Sequence, residues 1–139
     1  MRTLKISFLI FILPIGVSAQ ETGWFWQNPL PTGNNLNGVY YLDSITAIAV
    51  GNCGTILKTT DGGNYWFHQS LGITKDLRGI SFSDPYNGTI VGSEGTILRT
   101  TDGGESWFNQ VIGSPIDLNS VCFLDENIGT IVGKYGLVI

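Results

Sequence analysis

Two aspartates, Asp61 and Asp102, stand 41 residues apart in the same setting, a Thr-Thr-Asp-Gly-Gly stretch followed by Trp66 or Trp107. Such a carboxylate can act as an acid or base, ligate calcium, or hold a tight turn by accepting backbone N–H groups. Calcium loops of the EF type draw several acidic ligands from one stretch, and Asp-Gly-Gly offers a single one. An acid that recurs with its own packing indole reads as a turn device. In that role Asp61 and Asp102 accept amides of their own turn, and Gly63 and Gly104 take positive φ. Thr59 and Thr100 end a strand and bond the same turn. Trp66 and Trp107 are expected to bury between neighbouring units, with each indole N–H finding an acceptor.

Other chemistry is thinly represented. A glycosidase needs two suitably placed carboxylates, and the candidates Glu94, Asp117 and Glu126 fall in turns with no sign of pairing. His68 is the only histidine, so no Ser-His-Asp set can be argued. With Cys53 and Cys122 it makes too few ligands for a closed zinc site, and no metal or cofactor is expected. The two cysteines fall at different places in the repeat, which argues against a mutual bridge. Gly-rich stretches lie between strands rather than between a strand and a helix, so they are not phosphate loops.

What positions these residues is a repeat. The ten residues from Gly54 to Gly63 return from Gly95 to Gly104 with one change, Lys58 to Arg99. Leu36, Leu77 and Leu118 keep the same offset of 41, as do Val50, Val91 and Val132. Within one unit, alternation and turn residues predict strands over Leu77–Phe82, Thr89–Gly92, Thr96–Thr100 and Trp107–Gln110. Four short strands in a unit of about 40 residues is the period of a propeller blade. The expected class is all-β, a β-propeller of four-stranded antiparallel blades. Units near 36–69, 77–110 and 118–139 supply about two and a half blades. A closed ring of 4–8 blades needs roughly 160–330 residues, so these blades are expected to be a fragment of a larger ring. Trp24-Phe25-Trp26-Gln27 resembles the fourth-strand stretches Trp66–Gln69 and Trp107–Gln110 and is expected to close it.

Residues 1–19 carry the marks of a secretory signal peptide. Arg2 and Lys5 precede an apolar run from Ile6 to Val17, and Val17-Ser18-Ala19 ends in small residues, so cleavage is expected after Ala19. That run is shorter than the roughly 20 residues a membrane-spanning helix needs. The expectation is export, secreted or periplasmic, with no span left in the mature chain. Losing Arg2 and Lys5 leaves five basic residues against eleven acidic ones, a net charge of −6. Nucleic acid and anionic lipid are therefore poor partners.

The extended pattern Phe82-x-Asp84, Gly88, Val91-Gly92, Gly95-x-Ile97-Leu98-x-Thr100-x-Asp102-Gly103-Gly104-x-x-Trp107 resembles the photosystem II stability/assembly factor family of Asp-box propellers. The likeness runs over residues 24–139, more loosely in the first unit, where Ala47 stands at the place of Gly88. It implies a seven-bladed propeller that binds partner proteins without catalysis. Asp-box propellers also include sialidases and other glycoside hydrolases. A sialidase needs an arginine cluster, and the mature chain has only Arg78 and Arg99.

Comparing the units with one another shows what the fold leaves free. The turn between second and third strands reads Asn52-Cys53, then Ser93-Glu94, then Lys134-Tyr135. These turns and the loops at 70–76 and 111–117 are expected on one face, opposite the Asp-boxes. Variable loops on a rigid scaffold are where binding concentrates. Asn52, Ser93, Glu94, Lys134 and Tyr135 are the candidate contacts for a protein partner or, alternatively, a glycan.

Overall fold

The computed structural model describes residues 30–110 and 113–139. The expected signal segment, its cleavage site and the Trp24–Gln27 strand lie outside the described residues.

Blade 1 is a meander of β1 (Leu36–Tyr41), β2 (Ala47–Gly51), β3 (Ile56–Thr59) and β4 (Phe67–Gln69). Blade 2 repeats it with β5 (Leu77–Phe82), β6 (Gly88–Gly92), β7 (Ile97–Thr100) and β8 (Phe108–Gln110). The fourth strands start at Phe67 and Phe108, one residue later than the indoles, because each Trp still belongs to its turn. Blade 3 holds β9 (Leu118–Phe123) and β10 (Gly129–Gly133), and Val138 adds a bridge to Val132. Every pairing is antiparallel, and the register carries over: Ala47 faces Thr59 as Gly88 faces Thr100.

Local chemistry makes the hairpins. Asp43 Oδ1 accepts the amides of Ile45 and Thr46, Asp84 Oδ1 those of Tyr86 and Asn87, and Asp125 Oδ1 those of Asn127 and Ile128. These are Asx-turns at the repeat spacing. Between them, β-branched and apolar runs such as Gly88-Thr-Ile-Val-Gly92 supply fully buried strands.

Blades stack face to face. Ile48, Val50 and Ile56 of blade 1 pack with Leu77, Ile80, Phe82, Ile90, Leu98 and Trp107 of blade 2. A second cluster, Val91, Ile97, Leu118 and Val121, joins blades 2 and 3. Each such side chain contributes roughly 1.5–3 kcal/mol when fully buried. The first strands β1, β5 and β9 touch in succession and so line the inner edge. A Cβ at Gly79 would meet Ser120 Cα at 3.0 Å and Val121 N at 3.2 Å, so β5 and β9 converge on a residue without a side chain.

Candidate functional site

Both Asp-box turns close on their own backbone. Thr100 Oγ1 donates to Asp102 Oδ1 at 2.7 Å and accepts the Gly104 amide at 2.9 Å. The same oxygen of Asp102 accepts the amides of Glu105 at 3.0 Å and Ser106 at 2.9 Å, and Oδ2 accepts the Ser106 hydroxyl. In the first copy, Thr59 Oγ1 donates to Asp61 Oδ1 at 2.8 Å and accepts the Gly63 amide at 3.0 Å. Asp61 Oδ1 also accepts the Tyr65 amide at 3.0 Å. Tyr65 has no hydroxyl at the place of Ser106, and the Asp61 carboxylate accepts two of these bonds where that of Asp102 accepts four.

These bonds favour the charged form. The Ser106 hydroxyl, then its amide and the Thr100 hydroxyl, hold the Asp102 carboxyl well below the usual carboxylate range. The Tyr65 amide, then the Thr59 hydroxyl, lower Asp61. A general acid needs the opposite shift, so both aspartates suit turn-holding and not proton donation. Gly63 and Gly104 have φ of 90° and 78°.

Trp107 is buried, its indole N–H donating to Gln69 Oε1 of blade 1 at 3.2 Å, its ring edge-on to Phe82. An Asp-box indole therefore packs against the preceding blade. Trp66 is half-buried and lines a groove of about 470 Å³ with Leu36, Gly38, Val39 and Ala49; the residues before 30, from which a preceding blade would contribute, lie outside the described residues.

The opposite end of the blades carries a second repeated device, which the sequence reading missed. Each turn between second and third strands is a short 3-10 segment, Asn52–Gly54, Ser93–Gly95 and Lys134–Gly136. Its middle residue is left-handed although it is not glycine: Cys53 at φ 55°, Glu94 at 54° and Tyr135 at 58°. That conformation costs about 1–2 kcal/mol for an L-residue. It is held from the next blade. The Cys53 amide donates to Asp76 Oδ1 at 3.0 Å, and the Glu94 amide to Asp117 Oδ1 at 2.9 Å. Asp76 and Asp117 also accept, on their main-chain carbonyls, the amides of Ser93 and Lys134. The 41-residue spacing of Asp76 and Asp117 was the signal that could have found this latch.

Asp117 is a hub rather than an unpaired acid. Arg78 reaches its Oδ2 at 3.0 Å and Lys134 at 2.8 Å. The Glu94 amide first, then Lys134 and Arg78, pull its carboxyl well below the ordinary range. Glu94 pairs with Lys75. Glu94 and Asp117 are thus neighbours, each tied to a basic side chain. Glu126 lies at the other end of blade 3, in the β9–β10 turn. Among the described residues no three His, Cys, Asp or Glu side chains gather as a metal site. Cys53 and Cys122 are free and exposed.

The latch leaves the tip side chains facing outward. Cys53 and Glu94 are exposed and Tyr135 is 93% exposed, while Asn52 and Ser93 are half-buried and Lys134 exposed. Beside Glu94 runs a groove of about 540 Å³ between the loop at 72–75 and the loop at 113–115, floored by Thr96 and Asn109. The structure therefore gathers Ser93, Glu94 and the two connecting loops in one place. Residues 111 and 112 of the second loop lie outside the described residues.

Four-stranded antiparallel blades, converging first strands and Asp-box turns define part of an Asp-box β-propeller. The model of the family described as Photosynthesis system II assembly factor YCF48 matches residues 64–139. The chain belongs to that family. A solved structure described as "YCF48 bound to D1 peptide" is similar at 26% identity and a TM-score of 0.70, covering 78% of this chain and 37% of that one. Another, "YCF48 from Cyanidioschyzon merolae", is similar at 27% identity and a TM-score of 0.67, covering 79% of this chain and 34% of that one. The chain thus spans about a third of the length of these relatives. No curated protein matches it. No helix among the described residues is long and apolar enough to cross a membrane.

Proposed function

We propose that this chain is part of an exported, non-catalytic propeller scaffold that binds a segment of a partner protein during assembly. The observation that carries the reading is the row of left-handed tips, Cys53, Glu94 and Tyr135, latched from behind by Asp76 and Asp117 for the first two. Non-glycine residues in this conformation cluster where structure serves function, and here the strain presents three different side chains at equivalent points of a rigid face. The groove beside Glu94 gives an extended peptide room to lie between two loops. A relative is described as bound to D1 peptide, which supports a polypeptide as the ligand class. The absence of catalysis rests on the Asp-box carboxylates being spent on their own turns and on Glu94 and Asp117 being tied to basic side chains. Export rests on the segment 1–19, and N-terminal sequencing of the mature protein should begin at Gln20.

The test is a titration of the protein with D1 peptide, repeated on Glu94→Lys, Lys134→Glu and Tyr135→Ala. Weakened binding in at least one face variant, with melting temperature unchanged, supports the reading. Equal affinity in all of them, or no binding by the parent, removes this face from consideration.

A further inference from the structure

The connectors entering blades 1 and 2 share one backbone course. Asn35 and Asp76, at equivalent places, accept on their main-chain carbonyls the amides of Asn52 and Ser93 at 2.9 and 2.8 Å. Thr55 and Thr96, also equivalent, each donate a hydroxyl to the carbonyl three residues back, of Asn52 or Ser93, at 2.7 Å. One side chain differs. Asn34 stands at the place of Lys75.

That difference changes what the threonine meets. Asn34 Nδ2 donates to Thr55 Oγ1 at 2.9 Å, and Thr55 is wholly buried. Lys75 turns instead to Glu94. Among the described residues no group donates to Thr96 Oγ1, and Thr96 is half-buried, open to the groove of about 540 Å³. Blade 1 thus carries an amide N–H on the lone pair of its threonine hydroxyl, and blade 2 offers the same lone pair to the groove. Walls and floor of that groove come from blade 2 and its two connectors. Gly72 and Gly113, at the same repeat offset, present bare main chain on the two walls, and a Cβ at either would meet nothing within 4 Å.

We infer that the groove takes the main chain of an extended polypeptide, one of whose amides donates to Thr96 Oγ1, and that Lys75 is the residue that leaves this acceptor open. The amide of Asn34 in blade 1 is the internal stand-in for that ligand group. Glycine walls let a backbone approach closely, and main-chain hydrogen bonds supply affinity with little demand on the partner's side chains. Lys75 acts here by not covering the threonine, and its ammonium is held aside by Glu94. The inference rests on the reading of the tip face as a polypeptide site and adds which atom anchors the chain and which blade is open to it.

The probe is D1 peptide, titrated against the full 139-residue chain. Lys75→Asn places the side chain of blade 1 in blade 2 and is expected to weaken binding by about tenfold, the loss of one hydrogen bond near the top of its usual range. Lys75→Ala removes the same ammonium without supplying an amide, and is expected to bind several-fold (about three- to tenfold) more tightly than Lys75→Asn. Methylating the main-chain nitrogens of the peptide one at a time should find one position that weakens the parent by about tenfold and Lys75→Asn far less, because there the lone pair is already taken. Three results overturn the inference: Lys75→Asn binding as tightly as the parent, Lys75→Ala binding as weakly as Lys75→Asn, or a methyl scan with no such position. If the parent does not bind the peptide, the reading of the tip face falls and this inference with it. If the parent binds and Tyr135→Ala weakens it while the two Lys75 variants do not separate, only this inference falls.

Discussion

The indole N–H of Trp107 donates to Gln69 Oε1 across the boundary between blades 1 and 2, at 3.2 Å. The same glutamine donates from Nε2 to the Gly104 carbonyl. One side chain of blade 1 thus recognises both the turn and the tryptophan of the next Asp-box. The box acts on two scales, closing its own hairpin and keying it to a neighbour.

Trp107→Ala is expected to cost about 3–5 kcal/mol, the usual loss for a large buried aromatic. Trp107→Phe keeps most of the area but leaves Gln69 Oε1 without its donor, so a loss of about 1–3 kcal/mol is expected. Urea denaturation checks both. Equal stability of Trp107→Phe and the parent would contradict the role given to the hydrogen bond.

Gly104→Ala should be far worse than Gly62→Ala. Both glycines have positive φ, 78° and 74°, so each substitution carries about 1–2 kcal/mol of left-handed strain. A Cβ at Gly104 also meets Ile48 Cδ1 at 2.4 Å, whereas one at Gly62 meets nothing within 4 Å. Thermal melts of the pair isolate the interface clash from the strain.

Asp61, Asp102 and Asp117 are all lowered by their hydrogen bonds. A carboxyl with a depressed folded-state pKa stabilises the fold above its unfolded value, near pH 4, and this stability is lost as pH falls through the folded value. The melting temperature should be flat from pH 7 to about 5 and drop steadily below about 4. Asp102→Asn removes that carboxyl's share, so the variant should be less stable at pH 7 and lose less on acidification. A parallel acid profile in parent and variant would sink this assignment.

Cys53→Gly, Glu94→Gly and Tyr135→Gly should be neutral or stabilising by up to about 1 kcal/mol, since glycine accepts positive φ without the strain of a Cβ. Glu94→Gly also loses the ion pair with Lys75, an exposed contact worth no more than about 1 kcal/mol. Calorimetry measures the stability, and titration with D1 peptide measures what binding is lost with the side chains. Destabilisation by all three would show that the tips are not strained.

The hairpins were open to reading because their causes are local. Alternation placed β5 on Leu77–Phe82, and Asp-Gly-Gly with Thr100 marked the turn whose bonds the structure displays. The latch was less visible. Asp76 and Asp117 keep the repeat spacing, but nothing in a lone aspartate before a strand says that it will hold an amide of the previous blade. Asp117 was weighed as an unpaired acid, and its partners Arg78 and Lys134 lie 39 and 17 positions away in the chain.

Sequence alone determined the period, the four strands of a unit and the turn that each Asp-box makes, because these depend on dihedral preference and on side chains bonding amides within four residues. Only the tertiary structure decided what each blade presents to the next. Trp107 sits in a turn that the sequence defines, yet its burial comes from Ile48 and its hydrogen bond from Gln69, both of the preceding blade. Burial and the left-handed tips need a second blade at a fixed distance, and that distance is set by packing between units rather than by the residues within one.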